Sequence, residues 1–214
     1  MQGLDWQRAR CSLPYRRLPR ATVLPRWRRQ PPGRAIGLSH GGIQRPMTLR
    51  LIIIRHAKSS WGDPLADDHD RVLNDRGHRS ADAIGDWLAS SGHLPDTALC
   101  STAARTVETL DRITARLPSR PEISYVRRLY HADPGTILDA VREATGSTVA
   151  VIGHNPGIGG FADAMAAAAP DHPDFQRYPT AATTILEFDT DQWQNVRPSA
   201  GRTLDFVVPR DLGA

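Results

Sequence analysis

Three short segments of this 214-residue chain concentrate groups that can hold and transfer an anion. Arg55-His56 follows the apolar run Leu49 to Ile54, Ser101 to Arg105 follows Thr97 to Cys100, and His154-Asn155 follows Thr148 to Ile152. Each segment alone is a weak signal, because a histidine at a strand end is more often a hydrogen-bonded surface residue and an early helical arginine more often lies in solvent. If the three runs are neighbouring strands, their ends meet at one sheet edge with two guanidinium groups and two imidazoles. That set suits a phosphoryl group: the planar guanidinium fork matches the phosphate oxygens and keeps its charge. Helix starts after Ser101 and His154 would add backbone N–H groups suited to anions.

The elements needed to bring these groups together are legible from Met47 onward, where apolar runs alternate with helical periodicity and predict an α/β layered fold. Leu49 to Ile54 reads as a strand buried on both faces. Asn74 to Ser90 predicts a helix with Ala81, Ile84, Trp87 and Leu88 on one side, and Ala103 to Leu117 a second with Val107, Leu110, Ile113 and Leu117 inward. Glu122 to Tyr125 and Thr148 to Ile152 read as strands. Asp133-Pro134 and Asn155-Pro156 carry a cap-then-proline signal for helices reaching about Ala144 and Ala168. Thr183 to Phe188 and Thr203 to Val208 alternate like late or edge strands. The connection from about Ala57 to Leu73 exceeds the usual ~4–6 residues, a length that often accompanies function.

The charge is divided along the chain. Residues 1–46 hold ten arginines and one acid, Asp5, a balance of +9, together with six of the 17 prolines. They lack apolar periodicity and are read as a disordered Arg/Pro-rich extension, with Met47 as a candidate true start. A transit peptide or a polybasic nucleic-acid arm is the other reading of this leader. The remaining 17 basic and 22 acidic residues give residues 47–214 a balance of −5, which disfavours nucleic acid as the partner of the folded body. No run of 18 apolar residues exists, so no spanning helix is expected. Cys11 and Cys100 are too few for a disulfide framework, and a cytoplasmic location is expected.

Beyond these patterns, Arg55-His56-Ala57-Lys58-Ser59 resembles the Arg-His-Gly signature of the histidine phosphatase, or phosphoglycerate mutase-like, superfamily. Ser101-Thr102-Ala103-Ala104-Arg105-Thr106 is similar to its second phosphate-arginine motif, and Val151-Ile152-Gly153-His154-Asn155 to its second histidine motif. The stretch Arg71 to Gly77 and the short domain resemble the SixA-type phosphohistidine phosphatases. The resemblance implies a three-layer α/β/α fold, with helices on both faces of a mostly parallel sheet. It also implies that His56 is the nucleophile, forming a phosphohistidine that water cleaves, and that Arg55, Arg105 and His154 form the phosphate pocket, with no metal or cofactor. The implied partner is a phosphorylated protein or a small phosphorylated metabolite. The sequence departs from the family at Ala57, which replaces the glycine, and at Gly62, where many members carry a phosphate-binding asparagine.

No motif marks a general acid. Asp63, Asp67, Asp68 and His131 are candidates by position for an acid or a substrate contact. An alkoxide leaving group needs a proton, whereas an imidazole leaving from phosphohistidine departs readily near neutral pH, so a missing acid favours a phosphohistidine substrate. Two other readings stay open at this point: a small-molecule phosphomonoesterase, and a phosphate-binding module without turnover. Asp67-Asp68-His69-Asp70 could chelate a hard cation, although its spacing is not that of an EF-hand. Gly157-Ile158-Gly159-Gly160-Phe161-Ala162 matches a dinucleotide fingerprint formally. No βαβ continuation follows it, so close helix packing is the expected use of those glycines. Trp61, Trp87 and Trp193 are read as core or rim residues.

Overall fold

In a computed structural model the described residues are 48–62 and 67–214. The leader at 1–46, the boundary at Met47 and the candidate Asp63 lie outside them. Six strands form one sheet: β1 (Leu49–Arg55), β2 (Thr97–Cys100), β3 (Glu122–Tyr125), β4 (Thr148–Gly153), β5 (Thr183–Phe188) and β6 (Arg202–Val207). Their spatial order is β3-β2-β4-β1-β5-β6. The first four are mutually parallel; β5 runs antiparallel to β1, and β6, antiparallel to β5, runs in the direction of the first four. Four helices cover the faces: α1 (Asp75–Ser91), α2 (Ala104–Thr114), α3 (Pro134–Arg142) and α4 (Gly157–Met165). The sheet is thus mostly parallel between two helical layers.

The period-two geometry of β1 explains this layering. Leu51 and Ile53 point into the core shared with α3 and α4, whereas Ile52 and Ile54 point into the core shared with α1 and α2. All four are essentially without solvent contact. Truncating any of them to alanine should cost ~2–5 kcal/mol. Asn74 caps α1 by accepting the Gly77 N–H at 2.9 Å, and Asp133 caps α3 by accepting the Thr136 N–H at 3.0 Å.

Four expectations need correction. Thr183–Phe188 is an interior strand beside β1, with five of its six residues buried; the edges are β3 and β6. Helix α4 stops at Met165, because Ala166 leaves the helix to bridge Gly201. Its N-cap is Pro156, and the Asn155 side chain instead accepts the Gly159 N–H at 3.2 Å. Helix α2 ends at Thr114, and its buried face includes Arg105, Thr106 and Thr109, while Val107 is only half-buried. Polar residues can occupy that face because each is bonded: Thr106 Oγ1 donates to the Ser101 carbonyl at 2.9 Å, and Thr109 Oγ1 accepts the Ala57 N–H at 3.0 Å. The glycines opening α4 do serve close packing, since a Cβ on Gly157 would lie 1.7 Å from the Ala132 carbonyl oxygen.

Candidate active site

The parallel strands deliver the three polar segments to one edge. Arg55 pairs with Gly153 and Cys100 with Ile152, so the residues that follow, His56, His154 and Ser101, emerge side by side. This is the carboxyl edge of the parallel strands, where open α/β sheets bind ligands. A cavity of about 210 Å³ opens there, lined among others by Arg55, His56, Asp68, Arg71, Arg105 and His131. A larger concavity of about 550 Å³ beside β3 shares no residue with it and holds none of the motif residues.

His56 is 8% exposed, and its Nδ1 lies 2.8 Å from the Ala57 carbonyl oxygen. A carbonyl can only accept, so Nδ1 carries the hydrogen and the Nε2 lone pair is left bare. Burial lowers the His56 pKa to about 4; the Ala57 carbonyl opposes this, and the charges of Arg105, Arg55 and Arg71 add to it. The ring is therefore a neutral base at pH 7. His154 lies with its ring centroid 5.2 Å from that of His56, and its Nε2 is 2.8 Å from Ser101 Oγ. Its Nδ1 is buried without a partner among the described residues. Burial, with the neighbouring His56, Arg105 and His131 charges, drives its pKa far below the usual imidazole value.

Each arginine is held from a different element. Arg55 donates from Nη1 to the Tyr178 carbonyl at 2.9 Å, leaving its buried Nε unpartnered among the described residues. Tyr178 sits at φ 41°, and its hydroxyl donates to the Ile53 carbonyl at 3.0 Å. Arg105 is 3% exposed and donates through both terminal nitrogens to Asp68: Nη1 to the backbone carbonyl, and Nη2 to Oδ2 at 2.9 Å. Asp68 Oδ2 also accepts the Tyr130 hydroxyl at 2.7 Å and faces His131 Nε2 at 3.3 Å, while Oδ1 accepts Arg71 Nη1 at 2.8 Å. The Tyr130 hydroxyl, with His131 and Arg105, holds the Asp68 carboxyl well below the usual carboxylate range. As placed, Asp68 is an anion that engages the donors a phosphoryl group would use. That suits anion contact or exchange and not proton donation.

The remaining sequence candidates separate clearly. His131 lines the cavity and stacks on His154 with centroids 5.3 Å apart. Asp67 is exposed and does not line it. Ala57 fits its place: it is fully buried, takes no positive φ, and its N–H and carbonyl are both used. Gly62 is exposed and offers no side chain to the site.

Residues 51–137 match the model of the histidine phosphatase superfamily (branch 1). Over 164 residues, 73% of this chain and 100% of the relative, the sequence is 35% identical to an uncharacterised protein of Mycobacterium tuberculosis H37Rv. The chain belongs to the histidine phosphatase superfamily. A candidate phosphohistidine phosphatase SixA from Nakamurella multipartitia has the same fold at TM-score 0.64 and 30% identity, covering 76% of this chain and 96% of that one. A second candidate SixA, from Agrobacterium tumefaciens, gives TM-score 0.62 and 30% identity, covering 75% and 98%. The fold is accordingly the phosphoglycerate mutase-like α/β fold of these neighbours.

Within this superfamily member, sequence reasoning missed several groups that build the site. Arg71 is the third guanidinium: besides Asp68 it bonds Ser59 Oγ at 2.7 Å, and it lies 3.4 Å above the centre of the exposed Trp61 ring. Arg71 was visible in a family-like stretch, but its spacing from the other motifs carried no hint of convergence. Tyr130 had no signal at all. It sits edge-on to His69, His131 and His154, and only the folded backbone brings it there. The 166–182 connection was likewise unmarked, although it clamps β1 through the Ala181 N–H, 3.1 Å from the Arg55 carbonyl oxygen.

Proposed function

We propose that this protein is a phosphatase that transfers the phosphoryl group to His56 Nε2 and then to water, with protein phosphohistidine as the preferred substrate. The observation that carries the reading is the state of His56: buried, neutral, donating from Nδ1 to a backbone carbonyl and presenting Nε2 beside three guanidinium groups. In the first step the Nε2–P bond forms as the bond from phosphorus to the leaving atom breaks. In the second, water adds to phosphorus, inorganic phosphate departs and His56 returns to its neutral form. Arg55, Arg71 and Arg105 stabilise charge on the equatorial oxygens, and the unpartnered Nδ1 of His154 supplies a further polar contact. The incoming dianion exchanges with the Asp68 carboxylate at Arg105 and Arg71.

The preference for phosphohistidine follows from proton supply. Among the described carboxylates offered by position, Asp68 is held as an anion and Asp67 lies off the cavity, which supports His131, a cavity-lining residue, as the group that passes a proton to the leaving atom. A site so poor in acid serves a good leaving group such as imidazole better than an alkoxide. The similarity to candidate SixA phosphohistidine phosphatases supports the same substrate class. The test is phosphate release from a phosphohistidine peptide, an alkyl phosphate and an aryl phosphate, in wild type and His56→Ala. The reading predicts turnover ordered phosphohistidine, aryl, alkyl, abolished in the variant. Equal release by both proteins would remove His56 as nucleophile, and binding without release by either would make the site a phosphate-binding module.

A further inference from the structure

Beside the phosphoryl cavity lies a second one, about 200 Å³ in volume, whose wall includes Arg76, Ser80, Asp174, Arg177, Thr180 and Arg210. Thr180 lines both cavities, so they adjoin. Two further links join them. Arg177 precedes Tyr178, whose carbonyl holds Arg55. Arg76 precedes Gly77, which packs so closely on the backbone of Lys58, a phosphoryl-cavity residue, that an added Cβ would lie 2.2 Å from the Lys58 oxygen. A strip of positive charge thus runs from Lys58 and Arg55 past Thr180 to three more arginines.

The balance of this second cavity is three arginines against one aspartate, leaving it near +2. Asp174 is 7% exposed in its side chain and lies beneath, bonded to Arg210 and 3.7 Å from Arg177 Nη1. Asp211 stands 4.0 Å from Arg210 Nε, outside the lining. The arginine side chains themselves remain open, Arg177 at 81% and Arg210 at 59% exposure. Each guanidinium has five N–H donors, more than Asp174 can engage. Arg76 lies in the first turn of α1, where the helix dipole disfavours a cation and favours an anion. A buried carboxylate tethering solvent-facing arginines, next to a helix start, is an arrangement that presents donors outward. At ~30 Å³ for one water in the liquid, 200 Å³ admits a single carboxylate or phosphate group.

We infer that Arg76, Arg177 and Arg210 form a subsite for a second anionic group of the phosphorylated substrate. The inference rests on the phosphatase reading for its substrate and narrows that substrate to molecules carrying two anions. In a protein this would be an aspartate or glutamate flanking the phosphorylated residue; in a metabolite, a second phosphate.

The test uses the full chain and the double variant Arg76→Glu/Arg177→Glu, both positions being exposed, with p-nitrophenyl phosphate, phosphohistidine peptides flanked by aspartate or by asparagine, and fructose 1,6-bisphosphate. Losing two solvent-exposed charge contacts, each worth far less than a buried one, should raise KM about tenfold for the aspartate-flanked peptide or the bisphosphate, with kcat unchanged. The asparagine-flanked peptide and p-nitrophenyl phosphate should shift by less than about twofold, since rim charges act weakly on a ligand they do not touch. Whichever dianionic probe responds names the source of the second anion. Equal KM shifts for all four probes would reduce the arginines to a diffuse field and overturn the subsite, as would no shift for any. If wild type hydrolyses none of them, the phosphatase reading fails separately. Calorimetric binding of fructose 1,6-bisphosphate against inorganic phosphate then still decides the subsite, which requires the double variant to weaken the bisphosphate alone.

Discussion

Helix α2 carries two arginines seven residues apart, each forked onto an aspartate, and the two pairs are built in opposite senses. In the Arg105 and Asp68 pair the arginine side chain is 4% exposed and the aspartate 45%. In the Arg112 and Asp82 pair the arginine is 38% exposed and the aspartate 19%. Asp82 projects from α1 and also binds Arg116 at 3.3 Å, so the carboxylate is the anchored member and the cations reach toward it. That pair joins α1 to α2. At the sheet edge the cation is anchored and the anion comes from a loop, sharing its oxygens with Arg71, Tyr130 and His131. A fixed cation with an exchangeable anion is what a phosphate site requires, whereas a fixed anion with surface cations is a brace.

The contrast can be broken most severely at Arg105. Arg105→Ala should lower kcat/KM for p-nitrophenyl phosphate more than tenfold, the loss of a charged contact worth roughly 1.5–3 kcal/mol, and Arg105→Lys should recover little because the ammonium lacks the fork. Unchanged steady-state kinetics in Arg105→Ala would take it out of the pocket. Next comes the acid behaviour of the histidines that Arg105 faces. Unfolded imidazoles bind protons below about 6.5, but His56 in the fold does so only near 4, so the unfolded chain holds more protons between these values. Stability should therefore fall on acidification through that window, by up to ~1.4 kcal/mol per pH unit per histidine. Urea titrations from pH 7 to 4.5 would show it, and His154→Asn should flatten the slope. Asp68→Asn sharpens the comparison in the other direction: removing the competing carboxylate, which is half-exposed, should tighten inorganic phosphate binding about three- to tenfold by calorimetry, a gain of ~0.6–1.4 kcal/mol. Arg112→Ala should do least, costing under ~1 kcal/mol in denaturant midpoint and leaving turnover within about twofold, as expected of a half-exposed pair.

Much of this architecture was legible because burial on both faces of a strand leaves continuous apolar runs, as at Leu49 to Ile54, and because a cap followed by proline announces a helix, as at Asp133. The arginines and histidines after the parallel strands converge for the same reason: once the strand order is β2-β4-β1, their following residues share an edge. What stayed hidden depends on long-range contact. The buried polar face of α2 breaks the apolar period because Thr109 meets the Ala57 N–H across 52 residues. The convergence of Arg71, Tyr130 and Asp68 depends on where two loops cross, which no local pattern records. The gain in the structure is therefore at the rim of the candidate site, where Asp68 meets Arg71 and Tyr130.

The most direct test of the account is to quench the protein during turnover of a phosphohistidine peptide at alkaline pH, digest it and locate the phosphoryl group by mass spectrometry. A phosphorylated His56, absent in His56→Ala, is the predicted result. Turnover proceeding with the phosphoryl group trapped on a different residue would contradict it.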